Sequence, residues 1–167
     1  MDPSQSCCFT GHRPARLPWG ADEEDPRCLA LKDRLTAAIE KAYDQGFRHF
    51  FCGMAQGADL YFCEAVLALR RLHPEVTLEA AVPFTGQADR WPEADRRRWA
   101  ALLDQCDFET MVQHHYTKGC MARRNRYMVD RSALLIAVYD GQPQGGTFTT
   151  LAYALKNNVA VEILDIG

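Results

Sequence analysis

The sequence predicts an α/β fold: one three-layer domain over residues 1–167, with an open, mostly parallel sheet of about five to six strands. Two observations carry this. Short continuous apolar runs of strand length, such as Phe47–Cys52 and Leu134–Tyr139, alternate with longer stretches of helical periodicity. Several of those runs end in turns rich in glycine, proline and polar residues. Strands covered on both faces by crossover helices leave this signature.

Ser6–Thr10 reads as the first strand and ends in Gly11-His12-Arg13-Pro14. A loop rich in proline and acid, Arg16 to Pro26, precedes a helix with apolar residues at Leu31, Leu35, Ala38, Ile39, Ala42 and Tyr43, the spacing of one buried stripe. Gly46 stands at the expected C-cap, and Phe47–Cys52 is the second strand. The helix Leu60–Leu72 is apolar nearly all round, which predicts deep burial, and His73-Pro74 stops it. Thr77–Val82 is the third strand, ended by Pro83-Phe84. Gln87–Gln105 reads as a charged helix carrying Trp91 and Trp99, and Phe108–Gln113 as the fourth strand. Then come a basic helix Met121–Arg131, a strand Ser132–Tyr139, a helix Gly146–Asn157 and a last strand Val159–Leu164.

At 167 residues, 47% hydrophobic and 25% charged, the chain suits one globular domain with a sizeable core, and no repeat or low-complexity linker divides it. A net charge of −3 gives no general attraction to nucleic acid or anionic membrane. Nucleic acid and membrane are therefore not expected partners, and a bound anion must be held by local geometry. The seven cysteines are odd in number and lack a C-x-x-C pair, so they read as reduced thiols packed as small hydrophobes. No metal site is expected; His114-His115, read on a strand, would point to opposite faces. Met1–Ser6 lacks the basic start and apolar run of a signal peptide, and no apolar stretch approaches the ~18 residues of a membrane span. A cytoplasmic location is expected.

Two strand-to-helix turns carry the chemistry. Cys52-Gly53-Met54-Ala55-Gln56-Gly57-Ala58-Asp59 joins a strand to a helix, and Asp140-Gly141 through Gly145-Gly146-Thr147 does so again. Free backbone N–H groups at such a helix start can face a phosphate. Gly53-x-x-x-Gly57 matches neither the dinucleotide fingerprint nor the P-loop, and a tight turn alone would also need glycine there. Thr147 can cap its helix while its hydroxyl faces a phosphate. Arg13 is a candidate phosphate clamp, and His12 has no partner visible in the sequence. Arg123-Arg124-Asn125-Arg126 fans cations around a helix, so that one of them reaches the site. All these turns fall at the C-terminal edge of the sheet, where open α/β sheets bind ligands.

Taken together, Thr10-Gly11-His12-Arg13-Pro14, Gly53-Met54-Ala55-x-Gly57-x-Asp59, Pro83-Phe84, Arg124-Asn125-x-x-Met128-Val129-Asp130 and Tyr139-Asp140…Gly145-Gly146-Thr147 resemble the YpsA-like family of the SLOG superfamily of Rossmann-like proteins. The resemblance spans nearly the whole chain, with the motifs in order. It implies a nucleotide-type ligand. The superfamily also includes the cytokinin-activating phosphoribohydrolases and the DNA-processing protein DprA. The hydrolases carry Gly-Gly-x-Gly-Thr-x-x-Glu, whose glutamate takes part in catalysis. Here the spacer glycine is missing from Gly145-Gly146-Thr147-Phe148-Thr149-Thr150, and Thr150 stands in the glutamate's place. Threonine supplies no carboxylate, which argues against simple transfer of the hydrolase activity.

The expected function is binding of a nucleotide or nucleotide-derived small molecule, in a sensor or regulatory role. The expected ligand-binding residues are Thr10, Gly11 and Arg13 on the first turn; Gly53, Met54, Gly57 and Asp59 on the second; Pro83 and Asn125; and Asp140, Gly145, Gly146 and Thr147 on the last. The alternative is a nucleotide N-glycosidase or phosphoribohydrolase with Asp59 and Glu64 as candidate catalytic carboxylates. A second alternative is DprA-like binding of single-stranded DNA through Arg96–Arg98 and Arg123–Arg126. No cofactor beyond the nucleotide-type ligand is implied, and a homo-oligomer is compatible with the sequence.

Overall fold

The computed structural model describes all 167 residues. Its elements are β1 (Ser6–Thr10), α1 (Pro26–Asp44), β2 (His49–Cys52), α2 (Ala58–Leu72), β3 (Thr77–Val82), α3 (Glu93–Gln105), β4 (Phe108–Met111), α4 (Cys120–Asp130), β5 (Leu134–Tyr139), α5 (Gly146–Lys156) and β6 (Ala160–Asp165). The six strands form one sheet in the order β4-β3-β2-β1-β5-β6, and every neighbouring pair is parallel. The chain winds outward from β1 to β4, crosses back over the sheet, and resumes at β5 on the other side of β1. The strand order therefore reverses between β1 and β5.

Side chains alternate across the sheet and divide the core in two. Cys7, Phe9, Phe50, Leu78 and Ile136 point to the face covered by α1 and α2, in a cluster of 30 buried residues. Cys8, Phe51, Ala81, Leu135 and Ala137 point to the other face, under α4 and α5. This is the Rossmann-like three-layer arrangement. α2 lies against β1, β2 and β3 and also touches α1 and α3, which accounts for its apolar residues on every side. No helix is long and apolar enough to cross a membrane.

Several element boundaries shift by one or two residues, and two changes alter where particular residues are placed. The helix expected from Gln87 starts at Glu93, because Pro92 takes an extended conformation (φ −53°, ψ 150°) at its N-cap. Proline also disfavours helix at the residue before it, so residues 87–91 stay in turns. The fourth strand ends at Met111 rather than Gln113, so His114 and His115 lie in a bend beyond it, not on a strand.

Candidate functional site at the switch point

The ends of β1 and β2 meet the starts of α2, α4 and α5 around a cleft of about 430 Å³. The cleft lies where the strand order reverses, the position at which open α/β sheets leave a crevice between diverging loops.

α5 forms one wall. Its N-cap is Gly145, which has no side chain to cap the helix. The N–H of Thr149 bonds the Gly145 carbonyl at 3.0 Å, but those of Gly146, Thr147 and Phe148 have no acceptor within the chain. The Thr147 side chain is 4% exposed, and its hydroxyl likewise makes no internal hydrogen bond. Three unpaired N–H groups at the positive end of a helix dipole, with a hydroxyl beside them, suit an anion.

Three arginines line the cleft in different states. Arg13 is exposed and makes no ion pair, so its guanidinium is free to move. Arg16 is held: its Nη2 bonds Asp140 Oδ2 at 2.8 Å and its Nη1 bonds the Gln144 carbonyl at 2.9 Å. That clasp ties the 140–145 loop to the loop after β1. Arg124 is buried at 3% exposure. Its Nη1 donates to the Gly53 carbonyl and its Nε to Asn125 Oδ1, which leaves Nη2 without an internal acceptor.

Asp59 forms the floor. It is 6% exposed; Oδ2 accepts the Ala55 N–H at 3.0 Å, and Oδ1 has no internal donor. Burial pushes its carboxyl above the usual range, against the pull of Arg124, the Ala55 N–H and Arg13. Burial likewise holds the Arg124 guanidinium below its ordinary value, opposed by Asp59. The two side chains converge on Gly53: a Cβ there would lie 2.6 Å from Arg124 Cζ and 2.9 Å from Asp59 Oδ2. Gly53 is the residue that lets a buried cation and a buried carboxyl share one turn.

The structure thus brings Thr10, Gly11, Arg13, Asp59, Asn125, Gly145, Gly146 and Thr147 around one cleft. The other expected residues stand apart. Gly57 does not face the cleft: with φ +86° it packs against the loop after β1, where a Cβ would meet the His12 carbonyl at 2.7 Å. The first N–H of α2, from Ala58, is spent on that same carbonyl at 3.1 Å. Gly53 and Met54 are buried behind the cleft wall, Met54 at the strained φ of +59°. Pro83 is buried at the end of β3, and Asp140 braces the rim through Arg16. Glu64 does not join Asp59. It is exposed on the α3 side of α2 and paired with Arg98, which also binds Glu23.

Sequence reasoning passed over Arg16, and it did not separate Arg124 from its neighbours. A signal for Arg124 existed: it sits at i+4 from Cys120 and i−4 from Met128, inside the apolar stripe of α4. A cation on a buried stripe needs partners there.

The family model YpsA, described as the YspA SLOG family, matches residues 7–166. The chain belongs to the YspA SLOG family. It is 33% identical over 147 residues to the SPbeta prophage-derived protein YoqJ of Bacillus subtilis, covering 80% of this chain and 85% of that one. It is 27% identical to the UPF0398 protein YpsA of the same organism, covering 89% and 83%. In structure it is similar to DNA processing protein A from Helicobacter pylori, described for its single-stranded DNA binding mode. That match has a TM-score of 0.62 at 14% identity and covers 97% of this chain and 65% of the other, a likeness of fold. In this member of the YspA SLOG family the hydroxyl of Thr150 donates to the Gly146 carbonyl at 2.8 Å, so that position serves the first turn of α5.

Proposed function

We propose that the cleft binds a nucleotide or nucleotide-derived small molecule, with a phosphoryl group at the start of α5 and a ribose over Asp59. One observation carries this reading. Gly146 and Thr147, with unpaired N–H groups and the free Thr147 hydroxyl, line the same cleft as Arg13, Arg124 and Asp59, whose Oδ1 has no internal donor, and the unpaired N–H of Phe148 follows on the same turn of α5. Donors on one side suit a phosphate, and a carboxylate acceptor beside them suits sugar hydroxyls. Seven free cysteines, six of them buried, support a reducing cytoplasmic setting for that binding.

A second reading, hydrolysis of a nucleotide N-glycosidic bond, rests on Asp59, a buried carboxyl in the cleft whose protonated form burial favours. Glu64 has no part in it. The DNA-binding reading has less support. Arg97 is paired with Glu93, Arg98 with Glu23 and Glu64, and Arg124 is buried, so the two arginine clusters form no continuous basic track.

Calorimetric titration with adenine and guanine nucleotides tests the proposal. Arg13→Ala should weaken binding by roughly tenfold to a hundredfold, the worth of a charge-assisted contact of about 1.5–3 kcal/mol. The melting temperature of the ligand-free protein should stay unchanged, because Arg13 makes no internal ion pair. No binding at millimolar nucleotide by folded protein would rule the proposal out. Release of free base that disappears in Asp59→Asn would establish the hydrolytic reading.

A further inference from the structure

A second cavity of about 260 Å³ opens between α4 and α5, directly beside the main cleft. The two share Met121, Asn125 and Gly146 in their linings, so they adjoin at the start of α5. The cavity contains Lys118 and Arg126, and neither makes an ion pair or a side-chain hydrogen bond within the chain. No aspartate or glutamate lines it. Asp130 stands behind the wall, and its Oδ1 accepts the Tyr153 hydroxyl at 2.6 Å; this anchors the Tyr153 ring as one side of the cavity. Two uncompensated cations in a concave site with no acid among its lining residues attract a second anionic group.

We infer that this cavity is a second phosphoryl subsite, and that the ligand is a nucleotide bearing more than one phosphoryl group. The inference rests on the proposed nucleotide binding in the main cleft. The first phosphoryl group sits on the N–H groups of α5, and the distal one reaches past Gly146 and Asn125 to Lys118 and Arg126. Asn125 suits the shared wall: its Oδ1 is engaged by Arg124 Nε at 2.8 Å, which orients the side chain and leaves its amide N–H groups as donors. Lys118 and Arg126 would distinguish a di- or triphosphate from a monophosphate, while the main cleft binds what these ligands have in common.

The test is a calorimetric comparison of AMP, ADP and ATP in low salt, on three proteins. These are the wild type, the double variant Lys118→Ala/Arg126→Ala, and a control, Arg71→Ala/Lys156→Ala. The control removes the same charge from exposed helix ends outside both cavities. The wild type should bind ADP or ATP about tenfold or more tightly than AMP. In Lys118→Ala/Arg126→Ala that advantage should fall to about twofold or less, with AMP affinity nearly unchanged; the control should keep the advantage. The inference is overturned if AMP binds as tightly as ADP and ATP in the wild type. It is also overturned if the advantage survives the Lys118/Arg126 change, or if the control loses as much. Those outcomes leave nucleotide binding itself standing. If none of the three ligands binds the wild type, both readings fall together.

Discussion

His12 is 3% exposed, and its Nε2 accepts the backbone N–H of Asp140 at 3.1 Å, joining the loop after β1 to the loop after β5. Asp140 Oδ1 lies 3.2 Å from the same nitrogen, a contact that favours a protonated ring. Burial outweighs it: desolvation holds the imidazole below its ordinary value of 6.5, with Arg16 adding to that effect and Asp140 opposing it. An imidazole whose folded-state pKa lies below its unfolded value binds more protons when unfolded. Its contribution to stability is therefore present above pH 6.5 and is lost as the pH falls through the folded value. Denaturant midpoints measured across that range should decline towards acid, with a slope from this group of at most about 1.4 kcal/mol per pH unit. His12→Gln should flatten that part of the profile. An unchanged profile would mean that the ring is not held neutral by its site.

α4 reaches the cleft through Arg124, and the fit depends on Gly53 having no side chain. In Gly53→Ala the added methyl would press on the guanidinium and on Asp59 together, in a region with little slack. Overpacking of this kind costs about 1–3 kcal/mol. Equilibrium denaturation should show that loss as a lower midpoint, and nucleotide affinity should fall with it as Arg124 and Asp59 move. Full stability in Gly53→Ala would contradict this packing. At this scale the sequence was readable where hydrophobic burial dictates conformation. β5, buried over Leu134–Val138, and α2, with nine buried residues, follow directly from their apolar patterns. Legibility failed where one residue overrides a pattern, as Pro92 does at the start of α3. It also failed for contacts between distant segments. Arg16 meets Asp140 across 124 residues, and Arg124 meets Gly53 across 71, and neither pairing leaves a local signature. The turn after β2 illustrates the same limit. Its glycines read as an anion-binding turn, yet Gly57 serves the close approach of α2 to the loop after β1.

In the whole molecule, the outward winding of β1 to β4 and the return to β5 leave one crevice at the centre of the sheet edge. The β1 and β5 loops diverge there, α5 points its unpaired N–H groups into the gap, and α2 and α4 deliver Asp59 and Arg124 from opposite faces of the sheet. The turns singled out in the sequence and the cleft lie at this same edge, but sequence and structure differ on which helix start is open to an anion. α2 has its first N–H occupied by His12, whereas the first three of α5 are unoccupied. In the proposed complex the ligand's phosphate rests on α5. The most direct measurement is a titration of 15N-labelled protein with ADP, followed by amide chemical shifts. The largest changes should fall on Gly146, Thr147 and Phe148, with smaller ones at Arg124 and Asn125. Saturable binding whose largest changes fall instead on Gly57, Ala58 and Asp59, with the α5 amides unmoved, would contradict it.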